Sequence, residues 1–120
     1  MNRLLLPYPI SANRYWRNMN GRLVVSKEAM EYKRTAKHEA IVGRCKPLQG
    51  QVSVSLYLHP KLTTKGKASE TRLDLDNCVK VALDSMNGIA YADDKQITRL
   101  FAEIGEPMQG GGLTVLWENV

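Results

Sequence analysis

Alternation of apolar and polar positions is clearest at Val52, Val54, Leu56 and Leu58, interleaved with Ser53, Ser55 and Tyr57. A period of two predicts a strand with one buried face, and Pro60 stops it. Leu4, Leu5 and Leu6 predict an earlier short strand that ends at Pro7 and Pro9. Asn20-Gly21 is a two-residue hairpin signal, and Arg22–Val25 reads as the strand leaving it. Between them, Ser11 to Arg17 shows no period and reads as a loop or short turn.

Helical spacing governs two other stretches. Ser26 is the expected N-cap of a helix reaching about Arg44, with Ala29, Tyr32, Ala36 and Ala40 on its buried face. A second helix is expected from Asn77 to Met86, N-capped by Asp76 and closed by Asn87-Gly88, with Val79, Ala82, Leu83 and Met86 buried. Residues 61–72 are polar and basic and read as a mobile surface loop. Residues 95–104 read as a strand, Gly110 to Gly112 as a turn, and Leu113 to Trp117 as the last strand. The order β-β-α-β-α-β-β predicts an α+β fold, a mixed, mostly antiparallel sheet with two helices packed on it. At 120 residues, positions 1–120 are expected to form a single domain.

Composition removes several classes. Hydrophobic residues make up 43% and charged residues 24%, which argues against global disorder. No apolar run approaches the roughly 20 residues of a membrane span, and the first residues do not resemble a signal peptide. Cys45 and Cys78, with only His38 and His59 beside them, support neither a disulfide framework nor a four-ligand zinc site. The expected compartment is a reducing cytoplasm, with no membrane partner and no organic cofactor.

The net charge of +5 suits a polyanionic partner, but its distribution says more. Residues 1–67 carry 13 basic and 3 acidic side chains, whereas residues 68–120 carry 4 and 9. All five aspartates, Asp74, Asp76, Asp84, Asp93 and Asp94, fall in the acidic part. If the chain before the second helix is extended, Asp74 and Asp76 point to one side. The segment after that helix is long enough to bring Asp94 back towards them. Convergent carboxylates without histidine or thiol suit a hard cation, Mg²⁺ or Mn²⁺. Such a cation can activate water against a phosphodiester, and an adjacent Lys80 can meet the developing charge. The competing reading is structural: a helix cap, an Asp76–Lys80–Asp84 surface ladder and an acidic turn.

The combination Asp74-x-Asp76-Asn77-x-x-Lys80 with Asp93-Asp94-x-Gln96 resembles the RusA family of Holliday-junction resolvases, small endonucleases often encoded by phages and prophages. The proline-rich opening Pro7, Pro9, Ser11, Asn13, Arg14, Tyr15 and Arg17 is similar to that family too. The resemblance implies a homodimer that binds four-way junction DNA and nicks two opposing strands symmetrically, in recombination and repair, with Mg²⁺ or Mn²⁺. Carried over by position, it implies metal ligation and catalysis by Asp74, Asp76 and Asp94, a functional Lys80, and supporting roles for Asn77 and Asp93. Leu73 stands where the family pattern has a basic residue, with Arg72 one step earlier.

Arg14, Arg17 and Arg22, with Tyr15 and Trp16, combine phosphate-binding charge with aromatic faces for an unstacked base. Lys61, Lys65, Lys67 and Arg72 stand on the approach to the acidic segment and are further DNA-contact candidates. Tyr15 and Trp16 read equally as core or dimer-interface residues, and the strand from Gly112 to Trp117 is one candidate interface. The alternative function is a non-catalytic, structure-selective DNA-binding dimer.

Overall fold

The apolar run at the N-terminus forms β1 (Asn2–Leu6), which Pro7 ends. After it, in the segment read as a loop, come a one-turn helix, α1 (Ala12–Tyr15), and β2 (Trp16–Met19). These two elements carry no periodicity because only Tyr15 among them is buried. β2 pairs antiparallel with β3 (Arg22–Val25) across Asn20-Gly21. Both turn residues adopt positive φ, 54° and 80°, as a type I′ hairpin requires.

Ser26 then caps α2 (Lys27–Val42), its hydroxyl accepting the Ala29 amide at 3.1 Å. The buried face is Ala29, Tyr32, Ala36 and Ala40, as the spacing predicts. The strand β4 (Val52–His59) buries alternate residues throughout. α3 (Leu75–Ser85) follows, then a short 3-10 turn (Asp94–Gln96), β5 (Ile97–Ile104) and β6 (Gly112–Asn119). This computed structural model describes residues 1–120.

The main sheet has the order β1–β6–β4–β5; β6 is antiparallel to both neighbours, and β4 and β5 are parallel. A parallel pair needs a crossover, and α3 supplies it, packing against both strands. The sheet is therefore mixed and mostly antiparallel, and the fold is α+β. β6 sits between two partners with Trp117 fully buried, so its backbone offers no free edge to a second copy.

Two departures from the expected pattern matter for the site. α3 begins at Leu75 rather than Asn77, because Leu75 packs against the main core and is drawn into the first turn. Its fully buried residues are Cys78, Val81, Ala82 and Ser85, while Val79 and Leu83 are half buried. The face is wider than one stripe because α3 is covered twice. Cys78 and Ala82 join the sheet core, and Val81 joins a second cluster with Tyr15 and Ala29. Burying Val81 alone contributes about 1.5–3 kcal/mol, and with Tyr15 and Ala29 it holds the N-terminal segment on α3 by a core of its own. Within the polar stretch 61–72, residues 61–69 close on themselves. Thr63 donates to Lys67 O at 2.7 Å and Ser69 to Lys61 O at 2.8 Å, giving a small closed turn.

Candidate active site

Asp74 occupies the N-cap position of α3 in extended conformation (φ −65°, ψ 143°), and Asp76 lies in the first helical turn. The helix cap is thus Asp74 and not Asp76, and the two carboxylates are not related by strand alternation. Their common feature is the helix end, where free amides and the macrodipole favour negative charge. Asp74 makes no capping hydrogen bond. Both side chains are exposed, and neither forms an ion pair. Asn77 and Lys80 follow on the same helix, half buried and exposed respectively.

The second acidic segment is built around Gln96. Its Nε2 donates to Leu48 O at 2.8 Å and Gly50 O at 2.9 Å, anchoring the turn to the chain before β4. Its Oε1 accepts the amides of Ala92 and Asp93 at 2.9 and 3.1 Å, while Asp93 accepts the Lys95 amide at 2.9 Å. This reciprocal capping box gives the Asp-Asp-x-Gln spacing a physical reason. Asp93 is the cap, Asp94 the exposed carboxylate beside it, and Gln96 the clamp. The Lys95 amide holds Asp93 below the ordinary carboxylate range. Asp94 is pushed up by desolvation, then by the hydrogen bond and charge of Asp93 and by the charge of Asp84. The turn therefore comes back within electrostatic reach of α3, at Asp84.

Asp84 itself is engaged. The Tyr15 hydroxyl donates to its Oδ2, and Lys33 Nζ lies 3.7 Å from the same oxygen. Tyr15 is fully buried, so it cannot meet a base; burial and the Asp84 contact raise its phenol. The expected Asp76–Lys80–Asp84 ladder is absent: Lys80 pairs with neither acid. Its ammonium lies 5.3 Å from the ring centroid of half-buried Trp16.

The candidate DNA-binding residues differ in their engagement. Arg14 pairs with Glu28, and Arg17 is exposed on β2. Lys65 and Lys67 border a groove of about 480 Å³ with Thr63, Thr64 and Glu70. Arg72 is exposed and donates to Leu73 O at 3.1 Å. Another cleft, of about 490 Å³, is lined by Pro7, Tyr8, Pro9, Arg14, Lys61 and Leu73, the residue before Asp74. Tyr8 is a contributor that spacing alone did not single out. Its hydroxyl accepts the Leu73 amide at 2.7 Å, and Lys61 Nζ sits 5.2 Å from its ring centroid. Only its place between two prolines hinted at a fixed role. His59 is structural: its ring nitrogens bond Glu106 O and Thr114 Oγ1, both at 2.7 Å.

The donor set of Asp74, Asp76 and Asp94 fits a hard divalent cation in chemistry: three exposed carboxylates, none in an ion pair. It is not a preformed cage, since no three acid, histidine or cysteine side chains converge in a coordinating group.

Comparison with known proteins is consistent along nearly the whole chain. A family model described as "Endodeoxyribonuclease RusA" matches residues 7–115. The chain is 27% identical over 117 residues to the crossover junction endodeoxyribonuclease rusA of Enterobacteria phage HK97, covering 94% of this chain and 90% of that protein. With Asp74, Asp76, Asn77 and Lys80 on α3 and the clamped Asp93-Asp94 turn alongside, the chain belongs to the RusA family.

Proposed function

We propose that the protein is a metal-dependent resolvase that binds four-way junction DNA as a homodimer and nicks two opposed strands. Crossover junction endodeoxyribonuclease activity follows from membership of the RusA family. The observation that carries the finer reading is the state of α3's N-terminus. Asp74 and Asp76 are exposed and unpaired there, Asp76 one turn before Lys80, and a cleft with Arg14 and Lys61 reaches Leu73, the residue before Asp74.

In this reading Asp74, Asp76 and Asp94 hold Mg²⁺, for which Mn²⁺ substitutes. When bound, the ion polarises the scissile phosphate and lowers the pKa of water for in-line attack. Asp93 fixes the turn that presents Asp94, and Asn77 supports the helix end. Lys80 meets the charge that builds on the phosphate or the leaving oxygen, yielding 5′-phosphate and 3′-hydroxyl ends that a ligase can seal. Arg14, Arg17, Lys65, Lys67 and Arg72 hold the flanking phosphates. A two-fold junction calls for two equivalent sites. Leu100 and Phe101, 45% and 48% exposed on edge strand β5, supply apolar surface for a second copy. Such an enzyme would act in the cytoplasm of a bacterial host.

The test uses a synthetic four-way junction with Mg²⁺ or with EDTA. Paired nicks only with the metal, lost in Asp76→Asn while junction binding persists, support the reading. Binding without nicks would make the protein a structure-selective binding module. Normal cutting by Asp76→Asn would overturn the ligand assignment.

A further inference from the structure

Lys80 stands one helical turn from Asp76 and one from Asp84, a spacing that ordinarily produces surface ion pairs. Neither forms. Asp84 is occupied by the Tyr15 hydroxyl and by Lys33. The Lys80 ammonium lies 5.3 Å from the Trp16 ring centroid, within the range of cation–π attraction. Trp16 is itself braced. Its ring meets that of buried Tyr15 at 4.4 Å between centroids and 59° between planes, and its backbone pairs with Val25 in the hairpin. Tyr15 thus supports both partners, its ring against Trp16 and its hydroxyl on Asp84 of the helix that carries Lys80.

We propose that Trp16 is a positioning residue for Lys80, holding the ammonium off both neighbouring carboxylates and ready for a DNA phosphate. The proposal rests on the reading of Lys80 given above. An aromatic face suits this task because its quadrupole attracts a cation without neutralising it. A carboxylate in the same place would cancel the charge and compete with the phosphate. The arrangement also leaves Asp76 free of a counter-ion that would oppose cation binding.

The experiment compares wild type, Trp16→Phe, Trp16→Leu, Lys80→Met and the Trp16→Leu/Lys80→Met double variant on a four-way junction. Single-turnover cleavage with Mg²⁺ and junction affinity are both measured. NMR follows the Lys80 side-chain protons, identified by their loss in Lys80→Met. The wild-type resonances should lie upfield, shielded by the indole, a result that needs no Trp16 variant. Trp16→Leu should return them to ordinary positions and slow cleavage roughly five- to tenfold, the scale of one cation–π contact. Junction affinity should change little, Trp16→Phe should recover most of the rate, and Trp16→Leu should cost nothing further in the Lys80→Met background. Unshielded Lys80 protons in wild type, or losses that simply multiply in the double variant, would overturn the role of Trp16 even if Lys80→Met is inactive. Full activity of Lys80→Met would instead overturn the functional reading of Lys80, and with it the purpose assigned to Trp16.

Discussion

The hydroxyl of Tyr15 donates a hydrogen bond to Oδ2 of Asp84, joining residues 69 positions apart. This bond and the small core of Tyr15, Ala29 and Val81 fasten the N-terminal segment to α3. Removing the hydroxyl leaves Asp84 with Lys33 alone, at 3.7 Å. Hydrogen bonds to charged acceptors contribute about 1.5–3 kcal/mol. Tyr15→Phe should lower stability within that range, read from the urea midpoint at unchanged slope.

Gln96 makes four hydrogen bonds that hold the acidic turn against Leu48 and Gly50. Gln96→Leu should cost about 1–2 kcal/mol, because four hydrogen bonds are lost together but three of the partners are exposed and can turn to water. It should also speed amide exchange at Ala92 and Asp93 and slow junction cleavage. Gln96→Glu keeps the acceptor half and loses the donors, so the amides of Ala92 and Asp93 should stay protected while stability still falls.

Gly111 has φ 71°, and a Cβ there would stand 2.6 Å from Tyr8 Cδ1 and 3.1 Å from His59 O. Tyr8 in turn fixes the Leu73 amide, immediately before Asp74. Gly111→Ala combines backbone strain with a clash against backbone and ring, and should cost about 2–3 kcal/mol. Cleavage should fall with it, since the displaced Tyr8 releases the approach to α3. A thermal melt paired with a cleavage assay checks both effects.

Alkaline pH should destabilise the protein. Burial pushes the Cys78 thiol from 9.0 up to about 12, and burial first of all raises the phenols of Tyr15, Tyr32 and Tyr91. Above their ordinary values the unfolded chain releases protons that the folded chain retains. Stability is therefore intact below about pH 9 and declines above it, by roughly 1.4 kcal/mol per pH unit for each group that has crossed its unfolded value. Urea midpoints at about pH 7, 9 and 10.5 should show little change over the first interval and a clear fall over the second.

Lys65 and Lys67 line a surface groove and make no ion pairs. If they hold phosphates, Lys65→Ala and Lys67→Ala should each weaken junction binding and flatten the dependence of log affinity on log salt by about one unit. Mg²⁺-driven cleavage at saturating protein should remain.

Much of this was legible along the chain. The single-sided burial of β4, the face of α2 with its Ser26 cap and the Asn20-Gly21 turn follow from periodicity and local capping chemistry, which act over a few residues. So does the partition of charge that isolates the aspartates beside Asn77 and Lys80. What escaped was set by contacts between distant segments. α1 and β2 carry no period, because Tyr15 is their one buried anchor. α3 starts at Leu75 and buries a broad face, because the sheet covers one side and the N-terminal segment another.

The site divides the same way. Residue type and spacing made Asp74, Asp76 and the Asp93-Asp94 pair candidate hard-oxygen donors with Lys80 as a cationic neighbour, beside a purely structural reading, and the family resemblance selected Asp94. Tertiary structure decided how they are held: Gln96 clamps the acidic turn, Tyr8 fixes the amide before Asp74, and Asp84 is taken by Tyr15 and Lys33. It also decided where Lys80 rests. Helical spacing offers it two carboxylates at similar distance, and only the fold, by placing the Trp16 ring beside its ammonium, leaves Lys80 paired with neither.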